Sequence, residues 1–490
     1  MSEEELPEGW TEAPLVNVAA PTPNAFTIGP FGSNLKVADY REDGVPLVFV
    51  RDIRAEFFGG EKTRFVSPDK ATDLGSHVVR PGDVLITKMG EPPGDTAIYP
   101  ANRPPGIITA DCIKLTPNAS LTSSAFLKFA IRSEPVRDQI AEQTMGVAQQ
   151  KLSLARFREI RLWLPPLTEQ RRIVEKVEAL LARVNAARDR LARLPALLKR
   201  FRQSILAAAC SGRLTEDWRA KAMRTDEWMT VALREVVESL DQGWSPKCDI
   251  EASPSVDVWG VIKTTSVQPL RFDGHENKRL PRGLEPRQEL EVRPGDLLIT
   301  RAGPRARAGV TCLVRAVRPR LMICDKVYRF RVRSSLALVE FVNLVLNEPA
   351  VLQEIDLLKT GISDSGVNLT QDKFLDLEMP LPTLDEQQEI VRRVDALFAL
   401  ADAIEKRVAD TTTRVDALPQ SILSKAFRGD LVPTEASLAR TEGRDYESAT
   451  ALLERVRTEE VTSKRPTART RGSGPRGGRR ATRQVRGESA

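Results

Sequence analysis

The chain contains a long internal repeat. The segment that begins at Leu164, LPPLTEQRRIVEKVEALLARVNAA, recurs at Leu381 as LPTLDEQQEIVRRVDALFALADA. The offset is 217 residues, and 21 of the 51 positions aligned up to Leu214 and Leu431 are identical without a gap. A repeat of such a long period indicates two copies of one structural unit. We therefore expect the chain to use one building plan twice.

Each copy of the repeated segment carries the pattern of a coiled coil. Apolar residues follow a 4-3 spacing, which predicts a long helix with one buried seam. Two matched seams in one chain predict that the two helices pack on each other; the alternative is that each helix is only a core helix of its own domain. Pro195 and Pro419 fall inside the pattern and are expected to kink or break the helices. The seam residues are Ile173, Val177, Leu180, Val184, Ala187, Leu191, Leu194, Leu198, Phe201 and Ile205, then Ile390, Val394, Leu397, Ala401, Ile404, Val408, Thr411, Val415, Leu418 and Ile422.

The ends of both helices are marked by ordinary capping signals. Thr168 and Asp385 occupy the positions where N-cap residues are expected. Gly212 and Gly429 stand where each chain should leave its helix, because glycine adopts the left-handed conformation without strain. At 1.5 Å per residue, a helix of some 40 residues spans about 60 Å.

The sequence outside the helices predicts mixed α/β domains. RPGDVLITK at Arg80 and RPGDLLITR at Arg293 combine a turn with a β-branched run, which is typical of a turn entering a strand. The offset between the copies drifts here, as it does when surface loops differ in length. The predicted order is a domain over 1–163, a helix over 164–214, a linker over 215–227, a second domain over 228–380, a helix over 381–435, a helical extension over 436–463 and a disordered basic tail over 464–490.

Charge and cysteine content indicate how the protein could bind a polyanion and in which compartment it works. The net charge is +6, but the tail after Ser463 carries +8, so the other 463 residues sum to −2. Any surface for a polyanion on the folded body must therefore come from local placement of charge. The five cysteines form no C-x-x-C pair, which is typical of reduced thiols in a cytoplasm. The N-terminus lacks the apolar core of a secretion signal. The sequence contains no run of 18 apolar residues, so no membrane-spanning helix is expected.

The sequence lacks a convincing catalytic motif. It has no phosphate-binding loop of the G-x-x-x-x-G-K-[ST] type, no Asn/Asp-Pro-Pro-aromatic motif of amino-methyltransferases, and no His/Cys cluster with metal spacing. Asp83 with Lys88, and Asp296 with Arg301, raise the alternative of a nuclease, but the second copy replaces the lysine. A non-catalytic protein without a metal site is expected. The open alternatives are a stand-alone methyltransferase or nuclease, and a coiled-coil scaffold that binds no nucleic acid.

Two divergent domains, each followed by an L-P-x-L-x-E-Q-x-x-I-V segment, resemble the specificity subunit of type I restriction–modification systems. QSILAAACSGRLTEDWR at Gln203, QSILSKAFRGDLVPTE at Gln420 and GRDYESATALLERVR at Gly443 also fit this family. The resemblance covers about residues 1–460 and does not include the Arg-rich tail.

The resemblance implies a division of labour. Each variable domain would be a target-recognition domain that reads one half of a split, asymmetric site in double-stranded DNA. The two helices would form an antiparallel spacer that sets the gap and docks two modification (methyltransferase) subunits. S-adenosylmethionine, ATP and Mg²⁺ would be bound by partner subunits, including the motor-nuclease restriction subunits, and no cofactor by this chain.

The sequence also offers candidate contact residues. Base edges are read by polar side chains on loops, and phosphates are bound by lysine and arginine. MGVAQQKLS at Met145 and TGISDSGVNLT at Thr360 occupy corresponding places in the repeat. The candidate base-reading residues are Gln149, Gln150, Lys151, Ser365 and Asn368, and the candidate phosphate contacts are Lys36, Lys88, Lys263 and Arg301. The candidate residues for the coiled coil and partner docking are Ile173, Val177, Leu180, Val184, Leu191, Ile390, Val394, Leu397, Ile404 and Val408.

Overall fold

The computed structural model divides the chain into two compact units. The first comprises residues 1–187 and 415–490, and the second comprises residues 188–414. The residues that the structure describes are 6–53, 57–59, 63–90, 93–144, 151–224, 227–361 and 363–463. The predicted domain boundaries stay predictions, because a compact unit and a functional domain are different divisions of a chain.

The first unit is a mixed α/β fold. One of its two four-stranded sheets is antiparallel, and the central strand of that sheet, Val84–Thr87, lies between Cys112–Leu115 and Thr96–Ile98. The β-branched run that follows the Pro-Gly-Asp turn is therefore a buried strand, as predicted. The strands are Thr11–Pro14, Phe26–Ile28, Val45–Val48, Phe65–Val66, Val78–Val79, Val84–Thr87, Thr96–Ile98, Gly106–Ile108, Cys112–Leu115 and Arg161–Leu164. The shorter helices are Pro68–Asp73, Ser124–Ile131, Glu134–Thr144, Leu154–Glu159, Glu435–Glu442 and Ala449–Ser463.

The second unit repeats this plan with other loop lengths. Its central strand, Leu297–Thr300, lies antiparallel between Val327–Val332 and Thr311–Leu313. The strands are Met229–Ala232, Val237–Gln242, Gly260–Ile262, Val267–Gln268, Arg271–Phe272, Asn277–Arg279, Leu297–Thr300, Ala302–Gly303, Thr311–Leu313, Leu321–Met322, Val327–Val332, Val367–Asn368 and Glu378–Leu381. The shorter helices are Glu216–Lys221, Leu233–Val236, Val339–Val345, Pro349–Leu358 and Gln371–Leu375. The first of these lies within the predicted linker.

Both units also contain a second sheet with one parallel strand pair, of four strands in the first unit and three in the second. In the first unit Val45–Val48 runs parallel to Gly106–Ile108, and in the second unit Gly260–Ile262 runs parallel to Leu321–Met322. The repeat visible in the helical segments thus extends to the sheet topology of both domains.

Two helices of 44 residues each, Leu167–Cys210 and Leu384–Phe427, form the repeated segments. In the first unit, Ile173 near the start of the first long helix lies in one apolar core with Phe427 at the end of the second. In the second unit, Ile205 near the end of the first long helix shares a core with Ile390 near the start of the second. In each unit the beginning of one helix therefore packs beside the end of the other, which confirms the predicted antiparallel pair.

The helix ends differ from the prediction at one side only. The helices begin at Leu167 and Leu384, so Thr168 and Asp385 lie in the first turn and are not the N-cap residues. That prediction is wrong because the first helical hydrogen bonds reach two residues further back. Gln170 N donates to Pro166 O at 3.0 Å, and the equivalent Gln387 N donates to Thr383 O at 2.9 Å.

The other end signals hold. Gly212 and Gly429, just beyond the C-terminal ends of the helices, have φ angles of 75° and 83°, as predicted for left-handed residues after a helix. Pro195 and Pro419 both lie inside continuous helices, so neither breaks its helix, and a kink at these positions stays a prediction. Each proline removes one backbone hydrogen bond, at about 3 kcal/mol. Apolar neighbours such as Leu198 and Val415, which are buried, hold the helices across these positions.

The repeated Glu-Gln pair of the L-P-x-L-x-E-Q motif anchors each long helix to its domain. The glutamate accepts a hydrogen bond from a tryptophan of the first strand region: Trp10 Nε1 to Glu169 Oε1 at 2.9 Å, and Trp228 Nε1 to Glu386 Oε2 at 3.0 Å. Both carboxylates are buried, and burial raises the pKa of Glu169 above its ordinary value. The motif that carries the family resemblance is thus a structural joint.

The glutamine of the motif makes the same contacts in both units. Gln170 Nε2 donates to Leu121 O at 2.9 Å, and Gln387 Nε2 donates to Leu336 O at 3.1 Å. Each also bonds the carbonyl of the proline that precedes its helix. Leu121 and Leu336 are therefore structurally equivalent residues of the two units.

An ion pair on the second long helix makes the stability of the second unit depend on pH. Arg392 Nη2 and Arg393 Nε lie 2.7 and 2.6 Å from Glu389 Oε1, and their hydrogen bonds lower the pKa of Glu389 to about 2. Because this folded pKa is below the unfolded one, near 4.3, the stabilisation is present at neutral pH and is lost as the pH falls toward 2. Glu389→Gln should lower the free energy of unfolding by about 1 kcal/mol at pH 7 and by about half as much at pH 3, which lies between the two pKa values.

Urea denaturation of both proteins at the two pH values measures this difference. The matched control is Glu175→Gln on the first long helix, an exposed glutamate that should give no such difference. An equal loss at pH 7 and pH 3 would mean that the charge of Glu389 is not what stabilises the helix.

Candidate nucleic-acid interface

In each unit the central strand ends at a basic residue that holds a polar loop. Lys88 and Arg301 follow the last residues of the two strands. Lys88 O accepts a hydrogen bond from Leu152 N at 3.2 Å, and Arg301 O accepts one from Leu369 N at 2.7 Å. The two loops singled out in the sequence are therefore attached at the same place of the two folds.

The loop of the second unit is a tight hairpin. Thr360 N donates to Asn368 O at 2.8 Å, and Asn368 N donates to Thr360 O at 2.7 Å. Gly361 has a φ of 142°, and a Cβ there would lie 2.6 Å from Gly366 O, so only glycine fits. Ser365 is exposed near the end of the hairpin, with its hydroxyl 2.5 Å from that of Ser363. The described residues of the hairpin present small polar groups.

Two of the candidate contact residues meet in this unit. Arg301 Nη1 donates to Asn368 Oδ1 at 2.9 Å, and its Nε donates to Asp325 O at 2.7 Å. The guanidinium also lies 5.5 Å from the ring centroid of Tyr328. Arg301 therefore orients Asn368, and the amide NH₂ of Asn368 is left to donate to another acceptor. This arrangement lets Arg301 position Asn368, and the phosphate contact of Arg301 stays a prediction.

Arg305 is a residue of this site that sequence reasoning missed. Its Nε donates to Asp364 Oδ1 at 3.0 Å and its Nη1 to Asp356 Oδ2 at 3.0 Å, while its backbone N bonds Asp364 O at 2.8 Å. These hydrogen bonds raise the pKa of Arg305, and hydrogen bonds from Lys359 and Arg305 lower that of Asp356. Arg305 thus ties the hairpin to the helix Pro349–Leu358. The arginine-rich run RAGPRARAG was the available signal.

In the first unit, fewer candidates are described. Gln149 and Gln150 lie outside the described residues. Lys151 is exposed, and its backbone forms an isolated bridge with Met89. Lys88 is half-buried beside this bridge. The structure therefore places Lys88 and Lys151 close together at the end of the central strand.

Lys36 and Lys263 stand in different surroundings. Lys36 is exposed in a segment that also exposes Phe31 and Val37, at 69% and 78%. Lys263 Nζ lies 3.5 Å from Glu276 Oε2, and the hydroxyl of Thr265 and the charge of Lys263 lower the pKa of that carboxyl. Because its charge is balanced locally, Lys263 is less suited to bind a phosphate than Lys36.

The two aspartates of the nuclease alternative are structural. Asp83 Oδ2 accepts a hydrogen bond from Arg80 N at 2.7 Å, and Asp296 Oδ2 accepts one from Arg293 N at 2.8 Å. Both carboxylates are buried and close the turn before the central strand. Across the described ranges, no group of three or more His, Cys, Asp or Glu residues is placed to hold a metal ion. In the same ranges, no helix is long and apolar enough to cross a membrane.

The coiled-coil candidates divide by burial. Ile173, Val177, Val184, Ile390 and Val394 are buried, and Leu180, Leu191, Leu397, Ile404 and Val408 are half-buried. The buried members pack inside the chain, and partner docking through any of these ten residues stays a prediction. Larger apolar side chains that do lie exposed on the long helices are Leu197, Phe201, Leu400 and Leu418.

Comparison with known proteins gives one consistent family. The model of the type I restriction modification DNA specificity domain matches residues 68–195 and 225–411. The EcoKI specificity subunit of the type I restriction enzyme of Escherichia coli K12 is 30% identical over 478 residues, which cover 94% of this chain and 98% of that protein. The EcoBI specificity subunit of Escherichia coli is 30% identical over 445 residues, covering 86% and 88%.

Two solved structures share the fold. A chain from a study of assembly and conformational transition of the type I restriction–modification system has a TM-score of 0.59 and 24% identity, covering 87% of this chain and 99% of its own. The HsdS subunit of Thermoanaerobacter tengcongensis has a TM-score of 0.55 and 22% identity, covering 88% and 99%. At these identities the likeness concerns the fold alone.

Proposed function

This chain belongs to the type I restriction–modification DNA specificity family, and on that premise we propose that each of its two domains reads one half of a split, asymmetric DNA site. The chain is the non-catalytic specificity subunit. One observation carries the proposal. In both units a polar loop is hydrogen-bonded to the end of the central strand, and the two loops differ in sequence. Equal scaffolds with different loops suit two unlike half-sites, since base edges are read by polar side chains. Neither a stand-alone enzyme nor a scaffold without DNA specificity gains support from the family.

The partners follow from the same premise. We propose that the two long helices set the gap between the half-sites and dock two modification subunits, with restriction subunits joining for cleavage. The support is the equal length of the helices and their shared repeat, since two similar surfaces suit two copies of one partner. S-adenosylmethionine, ATP and Mg²⁺ are assigned to those partners.

We also propose that the protein works in a reducing cytoplasm, where its DNA target is. Its five cysteines are free thiols. Burial raises the pKa of Cys112 and of Cys312 to about 12, so these two thiols stay protonated.

Replacing Lys88 tests how the first domain meets DNA. If its ammonium binds a phosphate, Lys88→Ala should weaken binding about equally on all sequences and reduce the slope of log K against log salt by about 0.9. Salt titration of a labelled duplex with the assembled complex measures both. Lys221→Ala, an exposed lysine on the helix after the first long helix, is the matched control and should change neither. If Lys88→Ala keeps the wild-type slope, Lys88 does not bind a phosphate of the DNA.

A further inference from the structure

A groove in the second unit exposes apolar side chains that a folded domain normally covers. It has a volume of about 290 Å³, and Trp228, Met229, Leu336 and Pro382 are among its lining residues. Met229 is 61% exposed and Leu336 is 40% exposed. Neighbouring exposed apolar side chains in a concave surface are typical of a binding site.

The matching surface of the first unit can be identified from backbone hydrogen bonds. Leu121 and Leu336 are equivalent, because each accepts from the glutamine of the repeated motif. Each also donates its N–H, at 2.9 Å, to the carbonyl of the residue three positions earlier, which is Asn118 in one unit and Arg333 in the other. Leu121 is only 2% exposed, whereas Leu336 is 40% exposed. The same surface is thus covered in the first unit and open in the second unit.

The helix Ala449–Ser463 covers the surface of the first unit. Its first residue donates Ala449 N to Gly9 O at 2.9 Å, and Asn118 Nδ2 donates to Glu460 Oε1 at 3.2 Å near its other end. Its buried side chains lie in the same apolar core as Trp10 and Leu121. These side chains are Ala449, Leu452, Leu453 and Val456.

Among the described residues of the second unit there is no such helix, because the chain continues differently there. Glu435–Glu442 docks on the first long helix through Glu435 N, which donates to Glu169 Oε2 at 2.7 Å. In the second unit, the segment that precedes Glu216–Lys221 docks in the same way, since Thr215 Oγ1 donates to Glu386 Oε1 at 2.7 Å. After this point the chain enters the strand Met229–Ala232, whereas in the first unit it adds the covering helix. The covering helix is therefore present in the first unit and has no counterpart in the described part of the second unit.

We propose that the open groove, lined by Trp228, Met229 and Leu336, binds an amphipathic helix of another protein. The fitting helix has the build of Ala449–Ser463: adjacent aliphatic residues, another three to four positions on, and an acidic residue four positions beyond that. Arg333 is exposed where Asn118 meets Glu460, so it supplies a charge-assisted partner for that acid.

A separate protein is the occupant that the contacts favour. The chain's own helix is already held in the first unit, where intramolecular attachment outcompetes binding to a second copy. The proposal does not depend on the reading of DNA. Its failure and the failure of the proposed function can therefore be distinguished.

A synthetic peptide of residues 445–463 with a fluorescent label serves as the probe. Its anisotropy should rise saturably with the full-length chain. Leu336→Asp should weaken binding at least tenfold, because a carboxylate then enters the apolar groove. Leu357→Asp, at an 84% exposed leucine on the helix Pro349–Leu358, is the matched control and should bind as the wild type does.

Exchanging the charges of Arg333 and Glu460 distinguishes loss of their ion pair from misfolding of the variant. Arg333→Glu should weaken the peptide severalfold, and a peptide carrying Glu460→Arg should restore the loss. Absence of saturable binding, or equal affinity for wild type and Leu336→Asp, overturns the proposal. A dimer of the full chain that Leu336→Asp disperses overturns the assignment to a separate protein and makes a second copy the occupant.

Discussion

Exchanging residues 1–163 for the corresponding domain of a relative should change one half of the recognised DNA site and leave the other half intact. The expected effect is large, because each mismatched base pair costs about 1–3 kcal/mol and a half-site contains several. The reason is structural: the first unit contains its own sheets, core and candidate loop, and so does the second. Methylome sequencing of cells that express the hybrid with its modification subunit shows the altered half directly.

The reciprocal exchange of residues 228–380 is the matched control and should alter only the other half. If one exchange changed both halves, the assignment of one domain to one half-site would be wrong. The joint at Glu169 and Trp10 must be kept in the hybrid, because it fixes the domain to its helix.

Removing one heptad from each long helix, residues 185–191 and 402–408, should shorten the gap between the half-sites by about three base pairs. Seven residues of helix span about 10.5 Å, and one turn of DNA spans about 34 Å. Deleting a whole heptad from both helices keeps the buried faces aligned. Deleting it from one helix alone mismatches the seams and should abolish partner docking.

The same methylome measurement gives the gap, and truncation after Ser463 is the control that leaves the helices intact. An unchanged gap in an active double deletion would show that the helices are not the spacer.

Much of this architecture could be predicted from the sequence because the repeat reports on both copies at once. The 4-3 spacing predicted two helices that pack on each other, the family resemblance implied that they run antiparallel, and Gly212 and Gly429 end them as expected. The prolines do not break the helices, since the local cost of Pro195 is outweighed by packing along a 44-residue helix, which a local rule does not include. The N-caps misled by two residues because the helical hydrogen bonds extend to Pro166 and Thr383.

The candidate interface was less predictable, because it depends on contacts between distant segments. Composition marked the hairpin as a polar loop, and the structure adds that Arg301 holds Asn368. The role of Arg305 as the tie of the hairpin depends on Asp356 and Asp364, which lie more than 50 residues away. The pairing of Lys263 with Glu276 likewise required the strand register. Charge type can be read from a sequence, whereas the partner of each charge cannot.

Selection from a random duplex library tests the central claim most directly. The purified chain, assembled with its modification subunits, is incubated with the library, and the bound duplexes are sequenced. The account predicts enrichment of one motif with two unlike specified halves separated by a fixed number of unspecified base pairs. Enrichment of no motif, or of a single continuous palindrome, would contradict the reading of this chain as a two-domain specificity subunit.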